Sequence, residues 1–277
     1  MKIKYLGTAA AEGVPGVFCE CNVCKRARQM GGRFIRTRSQ ALIDDTLLVD
    51  FCPDTYLHSL QFNIPMTQIK HCLITHSHID HLYAEELAMR KPGFGFMKKW
   101  ETLVFYSDKS GYDKLNAEIK DRPPLETVVE NRRITLYEPF DVGDHSVTAI
   151  RATHDAASDP VVYFIEKDGK TLFYGNDTSD FNEEAWAYIQ QSGKKIDLLS
   201  LDCTAGDMEI DYVGHMNLQM CIAMRQRFVD MGLVNKNTIC VLTHFSHNGG
   251  SVDYDTFTEL AGKENFLVAY DGMEIEF

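Results

Sequence analysis

A mixed α/β fold in one domain is what this sequence predicts, and three observations predict it. Short apolar β runs recur along the whole chain. Several of them pair across polar or glycine-containing turns, with only a few helical segments between. No repeat, low-complexity tract or linker divides residues 1–277, which fits a single domain over that whole range.

Taken in order, residues 1–7 alternate apolar and polar like a strand and lack the apolar core and cleavage site of a signal peptide. A small-residue loop follows over residues 7–16. Residues 41–43 and 46–49 flank Asp44-Asp45 and read as a hairpin. Residues 69–75 form a strand, and 82–89 read as a short helix with Asp80 and His81 at its start. The Gly- and aromatic-rich stretch 92–96 ends that helix, either as a wall of a substrate pocket or as a plain surface loop. Strands are expected over 102–106, 133–137 and 146–153, with a helix over 112–120. Residues 161–165 and 171–174 pair across Lys167-Asp168-Gly169-Lys170, a strong hairpin signal. A helix over 182–191 and a buried-type strand over 196–201 come next. The helix over 218–231 has Asn217 as cap and Gly232 as stop. A strand over 238–243 and a last hairpin of 266–270 with 273–277 complete the chain.

The composition, 44% apolar and 25% charged, is ordinary for a soluble globular protein. A net charge of −12 argues against broad binding to a nucleic-acid backbone. No run approaches the roughly 20 apolar residues needed to span a bilayer. Of the eight cysteines, Cys52, Cys72, Cys203, Cys221 and Cys240 mostly lie in or beside apolar runs, as free thiols do. With no secretion signal, a reducing cytoplasm is the expected compartment. Cys19, Cys21 and Cys24 stand apart: three thiols within six residues can chelate one soft ion, and structural zinc wants a fourth ligand from elsewhere. Residues 25–38 carry Lys25, Arg26, Arg28, Arg33, Arg36 and Arg38, a basic run that either faces an anionic substrate or is simply solvated.

The stretch Thr75-His76-Ser77-His78-Ile79-Asp80-His81 concentrates three imidazoles and one carboxylate into six residues. These are the ligands of zinc, manganese and iron, and packing alone does not explain them, because each must be desolvated and partnered. Three further β runs end in a metal-ligand type, at Thr153-His154, Gly175-Asn176-Asp177 and Thr243-His244. Sites in layered α/β folds collect at the carboxyl ends of strands.

The H-x-H-x-D-H pattern and the series after it resemble the metallo-β-lactamase superfamily. The resemblance implies a four-layer αββα sandwich. It implies one ion on His76, His78 and His154, a second on Asp80, His81 and His244, and Asp177 bridging both. Asp50 matches a carboxylate that supports a ligand imidazole from behind. Two such ions, zinc or manganese, would share a water and lower its pKa, giving a hydrolase its nucleophile. An imidazole at His78, where oxygen-reducing diiron relatives have a carboxylate, favours the hydrolytic metals.

Cys19, Cys21 and Cys24 with His247 resemble the structural zinc site of the superfamily branch typified by PhnP, a phosphoribosyl cyclic phosphate phosphodiesterase. Gly214-His215-Met216 resembles the extra histidine of the phosphodiesterase relatives, which contacts the phosphate or protonates the leaving oxygen. The expected activity is hydrolysis of a small phosphodiester, open-chain or cyclic, by a hydroxide held between the two metals, with Asp80 and His215 as the catalytic residues. Thioester or lactone hydrolysis, and a non-catalytic subunit of cofactor biosynthesis, are the alternatives. No nucleic-acid or membrane partner is expected, and a homodimer is left open.

Overall fold

The computed structural model describes residues 1–277. The first half of the chain is β1 (Lys2–Gly7), α1 (Asn22–Met30), β2 (Gln40–Ile43), β3 (Leu47–Val49), α2 (Thr55–Gln61), β4 (His71–Leu73), β5 (Leu103–Ser107), α3 (Lys109–Asp121) and β6 (Val129–Arg133). The second half is β7 (Pro139–Val142), β8 (His145–Arg151), β9 (Val161–Lys167), β10 (Lys170–Gly175), α4 (Glu183–Ser192), β11 (Leu198–Asp202), α5 (Leu218–Asp230), β12 (Ile239–Thr243), α6 (Tyr254–Gly262), β13 (Leu267–Val268) and β14 (Glu274–Glu276). Two seven-stranded sheets result, in the orders β14-β1-β2-β3-β4-β5-β6 and β13-β12-β11-β10-β9-β8-β7. Both are mixed: β3 to β6 run parallel, as do β10 to β13, and the remaining pairs are antiparallel.

The period-2 alternation of side chains makes three apolar layers out of two sheets. Ile3, Tyr5, Ile43, Val49 and Leu73 of the first sheet meet Val147, Tyr163, Ile165, Leu172 and Tyr174 of the second. On the outer face of the first sheet, Leu48, Cys72 and Phe105 pack on Leu115 and Ile119 of α3. Outside the second sheet, Phe164, Phe173 and Leu242 pack on Trp186 of α4, Phe228 of α5 and Phe257 of α6. This is the αββα sandwich expected. The five cysteines assigned to apolar runs are all buried, and all eight thiols are free.

Three expectations are corrected. Residues 82–89 do not start an α-helix at Asp80. Phe51 N donates to His81 O and Tyr83 N to Phe51 O, which holds the segment extended, and only a 3-10 helix follows, from Ala84 to Arg90. Residues 133–137 are not a strand, because β6 ends at Arg133. Ile134 N then donates to Ser107 O in the first sheet and Tyr137 N to Ala149 O in the second, so the segment is the crossing between sheets. The final hairpin is no hairpin: Val268 pairs with Leu242 in one sheet and Ile275 with Ile3 in the other. The helices α1, α2 and α6 and the edge strand β7 went unread in the sequence, although Asp253 caps α6 in the usual way by accepting from Thr256 N.

Candidate metal centre and catalytic pocket

Both sheets present the carboxyl ends of strands at one edge, and the chemistry-bearing residues collect there. The turn after β4 carries His76, His78, Asp80 and His81, and is closed by Leu82 N donating to His78 O at 2.7 Å. His154, Asp177 and His244 follow β8, β10 and β12. Asp50, Asp177 and His244 have left-handed backbone, with φ of 70°, 52° and 63°. Outside glycine that conformation is uncommon, and short polar side chains such as Asp and His adopt it more readily than others.

Two groups of ligand atoms result. His76, His78 and His154 form one, and Asp80, His81, Asp177 and His244 the other, with the atoms of each group within 4.8 Å of one another. In the first, His78 Nδ1 lies 3.0 Å from His76 Nε2 and 3.2 Å from His154 Nε2. In the second, His81 Nε2 lies 3.2 Å from His244 Nε2 and 3.3 Å from both Asp80 Oδ2 and Asp177 Oδ2. Asp177 Oδ2 also reaches toward the first group, 3.5 Å from His76 Nε2 and 3.8 Å from His154 Nε2.

The outer nitrogens show what the inner ones can hold. His81 Nδ1 is 2.7 Å from Asp50, His78 Nε2 is 3.0 Å from Asp155, and His154 Nδ1 is 3.0 Å from Gly214 O. His76 Nδ1 and His244 Nδ1 face the hydroxyls of Thr75 and Thr204, each of which spends its own proton on an oxygen. Each ring can therefore donate outward and turn its other nitrogen inward, the arrangement that a metal requires. Asp177 Oδ1 is buried 2.9 Å from His244 Nε2 yet has no hydrogen-bond partner. Burial first, then the neighbouring His81, pushes His76 well below its ordinary pKa. His81 goes the other way: burial opposes protonation, but Asp177, Asp50 and Asp80 together hold it well up. Carboxylates that draw a proton onto His81, with imidazole nitrogens turned inward beside them, make a site that favours positive charge and fits divalent cations.

Asp202, at the end of β11, is fully buried and lies 2.7 Å from His215 Nδ1. Thr204 Oγ1 is 3.1 Å from the same nitrogen. The ring stacks on His244 at 5.6 Å and meets His154 edge-on at 4.7 Å. Burial pulls its pKa down, but Asp202's charge and hydrogen bond outweigh this and hold it up at about 9. With Asp202 on its Nδ1, the protonated ring can donate a hydrogen bond into the pocket from Nε2. Sequence reasoning found His215 and missed Asp202 and Thr204. The signal was there, since β11 is a further strand ending in a carboxylate at the same edge.

Cys19, Cys21, Cys24 and His247 also converge, with His247 Nδ1 3.6 Å from Cys19 Sγ and 3.8 Å from Cys21 Sγ. Backbone N–H groups of Gly16, Cys21 and Cys24 donate to Cys24, Cys19 and Cys21 Sγ in turn. Such donors suit thiolates, and three thiols with one imidazole could hold a soft divalent cation. The basic run 25–38 serves its own fold: Arg28 donates to Gly16 O and Cys19 O, Arg38 to Asp54, and Arg36 is buried over the Phe245 ring. Residues 92–96 are absent from the lining of the pocket, which runs from Ala10 to Asn248 through His78, Asp177 and His215.

This architecture is that of the beta-lactamase superfamily, and the chain belongs to it: the profile of the beta-lactamase superfamily domain matches residues 45–245. Among solved structures it is similar to Zn(2+)-bound PqqB from Methylobacterium extorquens, with 22% identity, complete coverage of both chains and a TM-score of 0.74. A diphosphatase from the PhnP family is 19% identical over all of this chain and 97% of its own, with a TM-score of 0.73. Human tRNase Z, short form, is 19% identical over all of this chain and 99% of its own, with a TM-score of 0.68. No curated protein sequence matches. No helix is long and apolar enough to cross a membrane.

Proposed function

We propose that the protein is a phosphodiesterase acting on a small phosphodiester, with His76, His78, His154, Asp80, His81, Asp177 and His244 as ligands for two divalent cations, and a further cation on Cys19, Cys21, Cys24 and His247. Asp177, whose Oδ2 reaches toward both groups, would serve both cations. Cations at the paired site supply a nucleophilic hydroxide at neutral pH and a positive field for charge gathering on phosphorus. The observation that carries the phosphodiester reading is the Asp202–His215 pair. Hydrolysis forms a P–O bond from water and breaks the P–O bond to the departing alcohol, whose oxygen must gain a proton. Asp202 holds Nδ1 of His215, which leaves Nε2–H to donate that proton. Esters with better leaving groups, such as thioesters, have less use for such an acid.

A chromogenic bis-aryl phosphodiester tests the reading. Turnover is expected, and Asp177→Ala should lose both turnover and bound metal. Robust hydrolysis of thioesters or lactones, with none of any phosphodiester, would refute it.

A further inference from the structure

We infer that the ester arm retained after cleavage carries a positive charge, as an alkylammonium or quaternary ammonium group. This rests on the phosphodiesterase reading and concerns the wall of the pocket facing the ligand groups. The cavity measures about 510 Å³. Beyond the ligand set and His215, the charged residues lining it are Glu12 and Glu209, and neither lysine nor arginine lines it. Glu209 is exposed and forms no ion pair, whereas Glu12 Oε1 lies 3.9 Å from His247 Nε2. Glu12 is held in place by donors from Ser246 Oγ and, at 3.4 Å, Asn248 Nδ2.

Arg38, which donates to the lining residue Ala11 through its carbonyl, is paired with both oxygens of Asp54. Next to Glu209, Met208 and Tyr212 are about half exposed, at 48% and 50%. An aromatic ring and a thioether beside carboxylates suit a methylated or alkylated ammonium. A second phosphate on this wall would meet two carboxylates and neither lysine nor arginine.

The test compares p-nitrophenyl phosphorylcholine with ethyl and carboxymethyl p-nitrophenyl phosphate at fixed ionic strength. The expected order of kcat/KM is choline over ethyl over carboxymethyl, with at least about a tenfold preference for choline over ethyl. That ratio should fall in Glu209→Gln, fall further with Glu12→Gln added, and shrink as salt rises. Calorimetry reads the same wall without turnover: phosphocholine should bind more tightly than ethyl phosphate, and Glu209→Gln should narrow the difference at unchanged metal content and Tm. Equal or reversed ratios in both measurements would overturn the inference. Turnover of none of the three diesters would instead overturn the phosphodiesterase reading, and this inference with it.

Discussion

Asp202 decides where the proton on His215 sits, so its removal should be felt only where that proton is needed. Asp202→Asn should retain metal, yet slow an alkyl phosphodiester by about 10²–10⁴-fold while changing a p-nitrophenyl ester far less, because p-nitrophenolate leaves unaided. An equal loss on both substrates would assign Asp202 to folding instead. Gly214 makes a second residue-scale case. Its φ is 132°, and a Cβ there would sit 3.0 Å from His154 Nδ1, the nitrogen bound to Gly214 O. Gly214→Ala should therefore weaken metal binding by about 10–100-fold, as losses of outer partners do, measured by competition with a chelator. The histidines were legible in the sequence because few folding reasons gather three imidazoles in one turn. Asp202 carried the weaker signal of one carboxylate at a strand end, which has many structural uses, and was passed over.

At the scale of elements, the thiol cluster joins the loop before α1 to the loop after β12, where His247 stands three residues beyond His244. Cys24→Ser should cost one equivalent of metal, lower the Tm and reduce the affinity of the His244 group for its ion, all read by metal analysis and thermal melts. Intact affinity at the paired site would separate the two loops energetically. Element types were legible at several places where one face alternated or a cap stood in front of an apolar repeat, as at Asn217, which accepts from Met220 N, though the like cap at Asp253 left α6 unread. They were misread where the chain changes sheets. The segments 133–137 and 266–277 carry alternating apolar residues because both cross the core between the sheets, and alternation does not reveal which partner is used.

For the molecule as a whole, the two sheets are tied near β13 by Asp271. It accepts from Thr8 Oγ1 and from the N–H and hydroxyl of Thr37 at 2.6–2.7 Å. Burial dominates its surroundings and raises its pKa from the ordinary carboxylate range to about 6. A carboxyl raised on folding binds its proton more tightly in the native state. Its cost is absent below about pH 4 and grows as pH rises through about 6, reaching on the order of 1–3 kcal/mol. The Tm of Asp271→Asn relative to the parent should therefore improve between pH 4 and pH 7. A constant difference would show that Asp271 titrates normally. A mixed α/β domain followed from the recurring β runs with few helices between them, and the four-layer sandwich from the resemblance that the metal-ligand motifs carry, whereas the strand order needed pairing information that composition lacks.

The left-handed backbone at Asp50, Asp177 and His244 limits how the centre can be redesigned. Asparagine, glycine and the residues already present accept such torsions readily, whereas valine, isoleucine and threonine do not. An effort to switch metal preference by exchanging these side chains thus draws on a short alphabet dictated by the main chain. His76, His78 and His154, absent from the positive-φ set, are where wider substitution libraries would survive.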